Sequence, residues 1–158
     1  SSQIARCCAI HCAAIRSNQI FSVRLVSNLT PESIARNMQI VDFSNTEHYL
    51  WGVGCDGWHL LKRDDLSIIA ERVPPGERER RHYHNRSRQF FYILTGTATI
   101  EVDGEIKVLQ MHQGIEIPPG VVHQFRNESS VEVRFLVISV PKSHGDRIED
   151  DGNYKLLD

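Results

Sequence analysis

The chain holds 158 residues, enough for one domain around a single core. Apolar residues make up 41% and charged residues 24%, the balance of an ordinary globular domain. Lys+Arg number 18 against 20 Asp+Glu, a formal charge of −2, and no apolar run nears the ~20 residues a membrane helix needs. This composition argues against a nucleic-acid-gripping protein and against a helical membrane protein.

The first 31 residues carry Arg6, Arg16 and Arg24 but no Asp or Glu, so all 20 acids lie downstream. Three readings fit: an organelle transit peptide, a start placed too far upstream with Met38 the true start, or an ordinary N-terminal arm. Cys7, Cys8 and Cys12 crowd this segment and Cys55 stands alone, which implies no disulfide framework and a reducing, cytoplasmic location. The Cys7-Cys8-Ala9-Ile10-His11-Cys12 run lacks the second ligand pair of a zinc module and reads as an apolar stretch. Thr30, Pro31 and Glu32 fit an N-cap, a first helical residue and a dipole-favoured acid, so a short helix is predicted there, closed near Asn37. The expected division is 1–37 as arm or targeting extension and 38–158 as the folded domain.

From about Val53 the pattern is β. Strands are predicted over Trp58–Lys62 and Leu66–Val73, with Pro74-Pro75-Gly76 as a stop. Gln89–Leu94 is apolar on both faces and reads as a strand buried between two sheets. Thr97–Val102 and Glu105–Gln110 flank Asp103-Gly104, a strong hairpin signal. Gly114–Ile117, Val121–Arg126 and Val131–Val140 follow, with turns at Pro118-Pro119-Gly120 and Asn127–Ser130. Short strands separated by turns, without helical periodicity, predict an all-β antiparallel sandwich or barrel. Beyond Pro141 the polar chain is expected at the surface.

His82, Tyr83 and His84 form the pattern that carries chemistry. Residues two apart on a strand share a face, so both imidazoles reach one point while Tyr83 faces away. Neutral imidazole is a common metal ligand. Gln89 opens the next strand and can offer an amide oxygen, and His123 follows the rigid Pro118–Gly120 turn. The arginines Arg72, Arg78, Arg80, Arg81, Arg86 and Arg88 suit an anionic ligand, but a solvated loop paired with Glu71, Glu77 and Glu79 is the favoured reading. Phe91, Tyr92 and Phe125 are candidate substrate-binding walls, and also candidate core. Trp51, Trp58 and Cys55 could line a barrel mouth, whereas His59 and His112 read as structural or exposed.

The spacing Gly76-x5-His82-x-His84-x4-Gln89-x6-Gly96 resembles the first motif of the cupin superfamily, and Pro118-x-Gly120-x2-His123-x3-Asn127 resembles the second. Gly114 lies two residues nearer its proline than in the commonest form, and the short intermotif stretch is similar to that of microbial single-domain cupins. The likeness covers roughly residues 53–140. It implies a double-stranded β-helix (jelly roll) with a short N-terminal arm or helix, and one divalent ion (Zn, Fe, Mn, Ni, Co or Cu) on His82, His84 and His123. Gln89 stands where the family usually has Glu, which leaves the site's full +2 charge and favours Lewis-acid chemistry over high-valent metal chemistry. The same His-His-Gln-His set resembles that of cupins acting without oxygen, among them polyketide cyclases and enzymes that open unsaturated uronates.

The function so implied is a metal-dependent enzyme that isomerises, hydrates or cyclises a small oxygenated, anionic molecule such as a sugar acid, keto acid or polyketide. A dioxygenase using Fe or Ni and a non-catalytic ligand-binding cupin are the alternatives. The implied partners are a small molecule and, by family analogy, a second copy in a homodimer paired through sheet edges. The general base has no candidate in the sequence.

Overall fold

A computed structural model describes residues 39–150, all β or connecting loop. The expectations for the N-terminal arm and its helix fall outside those residues. In chain order the strands are β1 Glu47–Trp51, β2 Cys55–Lys62, β3 Ser67–Val73, β4 His82–His84, β5 Arg88–Thr95, β6 Ala98–Val102, β7 Glu105–Leu109, β8 Gly114–Ile117, β9 His123–Arg126, β10 Val133–Val140 and β11 Arg147–Glu149. They form two sheets, of order β1-β2-β3-β10-β5-β8 and β11-β4-β9-β6-β7, in which every named pairing is antiparallel. This is the expected all-β jelly roll.

Period-two patterning sets the interior. In β10, Val133, Phe135 and Val137 are buried while Arg134 and Val140 face out. In β5, Gln89, Phe91 and Ile93 are buried while Phe90 is exposed and Tyr92 half-buried. The reading of β5 as covered on both faces is therefore corrected: its outer aromatics stack on each other, Phe90 and Tyr92 rings 6.5 Å apart, and are not enclosed by a second sheet. Phe125 of β9 and Phe135 of β10 stack with centroids 3.9 Å apart and join the two sheets at the core.

Turn chemistry follows the sequence closely. Asp103 and Gly104 both take positive φ (49° and 85°), the backbone of a tight hairpin turn between β6 and β7. At Gly96 φ is 80° and an added Cβ would lie 2.7 Å from the Glu132 carbonyl oxygen, so only glycine fits that crossing. Asn127 is a buried clasp. Its Nδ2 donates to the carbonyls of Val73 (2.9 Å) and Val131 (2.8 Å), and its Oδ1 accepts from Ser129 N and Oγ.

Two elements differ from expectation. β1 carries no strong alternation and pairs with β2 from Glu47 to Trp51. The segment after Pro141 does not simply lie on the surface: Ser143, Asp146 and Asp150 are buried, and β11 pairs with β4. Asp146 Oδ2 accepts from Arg86 N (2.9 Å) and Ser87 N (2.8 Å), Ser87 Oγ donates to the Pro141 carbonyl, and Arg81 holds both Glu101 and Asp150. A polar tail can thus be interior because its polar groups meet partners there.

Candidate metal centre

β4 is three residues long and is held between β9 and β11, with His82 opposite His123 and Arg147 opposite His84. Alternation turns His82 and His84 inward, and all three imidazoles are buried. One nitrogen from each of His82, His84 and His123 lies within 4.8 Å of the others, close enough to share one ion. Gln89 comes from β5 in the opposite sheet, and its Oε1 sits 2.9 Å from His123 Nε2. The four expected ligand residues therefore meet.

The hydrogen bonds behind the rings define which atoms face the centre. Nδ1–H of His82 donates to the Arg80 carbonyl (2.9 Å), and Nδ1–H of His123 donates to the Val121 carbonyl (3.0 Å). Each therefore presents an unprotonated Nε2, an arrangement characteristic of metal-binding histidines. Burial, followed by neighbouring Arg147 for His82 and by the other histidines for His84 and His123, lowers all three to about 4. The rings are then neutral near pH 7. Gln89 Nε2 faces Ser139 Oγ (3.4 Å), which turns Oε1 toward His123. Two lone-pair atoms thus approach to 2.9 Å, and His84 Nδ1 is buried without a hydrogen-bond partner. His123 Nε2 and Gln89 Oε1 meet with no donor between them, while Arg147 Nη1 lies 3.2 Å from His82 Nε2; the converging acceptors fit the divalent ion implied by the motif.

A cavity of about 570 Å³ opens onto this centre, with His82, His84, Gln89 and Phe91 in its lining. Of the three candidate substrate walls, Phe91 is there. Phe125 is fully buried in the core, and Tyr92 lies on the outer face near Phe90 and His112. Trp51 lines the cavity, whereas Trp58 stacks on Phe43 (4.4 Å) and Cys55 belongs to the core. His59 is buried beside Tyr49 and His144.

The arginines separate into two groups. Arg72 pairs with Asp56, Arg81 with Glu101 and Asp150, Arg86 with Asp146 and Arg88 with Glu116, so their partners are not the expected Glu71, Glu77 and Glu79. Arg78 and Arg80 line the cavity mouth, and Arg147 joins them from β11 with Nη1 3.2 Å from His82 Nε2. Glu71, Glu79 and Tyr49 complete the polar wall. Burial raises both carboxyls, Glu71 to about 8 with Glu79 as the next contributor. Tyr49 and Arg147 escaped the sequence reading, and Glu71 and Glu79 entered it only as expected arginine partners; the signal for Glu71 is a carboxylate between Ile69 and Val73 on one face of β3.

Comparison with known proteins gives the family. The Cupin domain family model matches residues 70–139. The uncharacterized protein MJ1618 of Methanocaldococcus jannaschii is 33% identical over 89 residues, which is 56% of this chain and 71% of that protein. The chain belongs to the cupin superfamily. This cupin is also 40% identical over 62 residues to "Polyketide synthase CurC" of Streptomyces cyaneus, covering 39% of this chain and 40% of that protein. It therefore spans well under two thirds of that relative. The polyketide cyclase RemF of Streptomyces resistomycificus superposes with a TM-score of 0.62 at 18% identity, over 71% of this chain and 84% of that one, a likeness of fold. A cupin fold with a three-histidine group supports an enzymatic or ligand-binding role.

Proposed function

We propose that this cupin is an enzyme that holds one divalent ion on His82, His84, His123 and Gln89 and acts on a small oxygenated anion by isomerisation, hydration or cyclisation. The observation that carries the reading is the convergence of neutral, buried imidazole lone pairs with an amide oxygen rather than a carboxylate. Bound there, the ion would supply Lewis-acid polarisation of a carbonyl or carboxylate oxygen. Around it the chain does the rest. Phe91 and Trp51 restrict water, and Arg78 and Arg80 in the cavity lining suit a carboxylate, with Arg147 beside them paired to Glu79 and Glu149. A polyketide or keto acid has the required oxygens, and the likeness to CurC and RemF favours that class.

Metal analysis of protein purified without added metal tests the reading. About one ion per chain is expected in the unmutated protein, and almost none in a His82→Ala, His123→Ala double variant that retains its fold. An unmutated, folded protein that takes up no Zn, Fe, Mn, Ni, Co or Cu when these are supplied would overturn it.

A further inference from the structure

Tyr49, Gly57 and Glu71 occupy matching positions on three neighbouring strands: Tyr49 pairs with Gly57 across β1 and β2, and Gly57 with Glu71 across β2 and β3. Side chains at paired positions share a face. Gly57 has no positive φ that would demand glycine; its role is spatial. A Cβ there would lie 2.2 Å from Tyr49 Cζ and 2.5 Å from the hydroxyl oxygen. The missing side chain leaves a slot through which the Tyr49 ring crosses β2, so that its O–H donates to Glu71 Oε1 at 3.0 Å. The other carboxyl oxygen, Oε2, is buried without a hydrogen-bond partner, and Glu71 lines the cavity shared with His82, His84 and Gln89.

We propose that Glu71 is the catalytic proton-transfer residue of this site, held in place by Tyr49 through the slot at Gly57, and that it works on the carbon beside a ligand carbonyl. The inference rests on the Lewis-acid reading above. Glu71 Oε2 removes the proton, the C–H pair becomes the carbon–carbon π bond, and the carbonyl π pair moves onto oxygen. Return of a proton from Glu71 to either end of that system gives back the ketone or traps the enol. The groups facing Glu71 are Tyr49 on β1, Cys55 on β2, Glu79 before β4 and Arg147 on β11. Burial and the Glu79 charge raise Glu71 to about 8, while the Tyr49 hydroxyl and Arg147 oppose the rise, so both protonation states are available near neutral pH.

The test is deuterium exchange into the methyl group of pyruvate in D2O, followed by proton NMR with the metal-loaded protein. Glu71→Gln is expected to lower exchange by roughly 100-fold or more. In the unmutated protein the rate rises with pH through about 8. Tyr49→Phe removes a bond that favours the carboxylate, and Gly57→Ala closes the slot, so both move that inflection upward while leaving Glu71 in place. Exchange in Glu71→Gln equal to that of the unmutated protein, background rates included, overturns the proposal. So do unshifted profiles in both other variants. Exchange lost in the His82→Ala, His123→Ala protein but retained in Glu71→Gln removes Glu71 alone. Exchange retained in the histidine variant but lost in Glu71→Gln removes the Lewis-acid reading and keeps Glu71.

Discussion

The two ends of the barrel interior are built from the same strands but carry opposite chemistry. Along β5 the inward residues run Gln89, Phe91, Ile93; β9 contributes His123 and then Phe125; β10 runs Ser139, Val137, Phe135, Val133. One end is a dry cluster around Phe125 and Phe135, and the other gathers three histidines, an amide and two carboxyls around a cavity. The change takes only a residue or two per strand. Pleat alternation decides which side chains point inward, and the chemistry of each inward position decides whether it stabilises the fold or serves the site. The polar end gains little from burial and leaves Glu71 Oε2, Glu79 Oε2 and His84 Nδ1 without hydrogen-bond partners, whereas the apolar end supplies the transfer free energy that offsets this.

That contrast can be broken from either side. Phe125→Ala removes a fully buried ring and is expected to lower stability by about 3–5 kcal/mol in urea unfolding; a loss below about 1 kcal/mol would mean the aromatic stack is not the core. Asn127→Ala strips the buried amide's hydrogen bonds from the carbonyls of Val73 and Val131 and should cost about 1–3 kcal/mol in the same measurement. The polar end responds differently. Gln89→Glu adds a negative charge beside the histidines, so zinc titration should show tighter binding by roughly tenfold, with weaker carbonyl polarisation; unchanged or weaker zinc affinity would contradict the ligand assignment.

The smallest expected effect is a pH dependence. Glu71 has its ordinary value of 4.5 raised to about 8 in the fold, so the native state holds a proton that the unfolded chain has released. Its contribution is therefore complete below about 4.5 and lost as pH rises through about 8. In metal-free protein, Glu71→Gln should flatten the decline in stability across that window. Parallel urea midpoints for both proteins from pH 5 to 8 would show that Glu71 is not held neutral.

Much of the fold was legible because it depends on local signals. The Asp103-Gly104 hairpin, the turn at Pro118–Gly120 and alternation in β10 are each written within a few residues. The two histidines of β4 were legible for the same reason, since two residues apart on a strand means one face. β5 misled because apolar residues on both faces imply two-sided cover, and only the packing shows that Phe90 and Tyr92 satisfy each other outside. Arg147 and Asp146 left no trace, since a polar tail reads as solvated unless its partners, 59 to 65 residues earlier, are known.

The sequence alone determined most of the strands, the turns at Asp103-Gly104 and Pro118–Gly120 and, through its likeness to the cupin motifs, the four residues that meet at one centre, because period-two geometry and motif spacing act over short distances. Only the tertiary structure decided that Tyr49 reaches Glu71 across a missing side chain and that β11 closes the cavity beside His82. Those contacts join residues far apart in the chain, and what brings them together is the order of strands in the sheets.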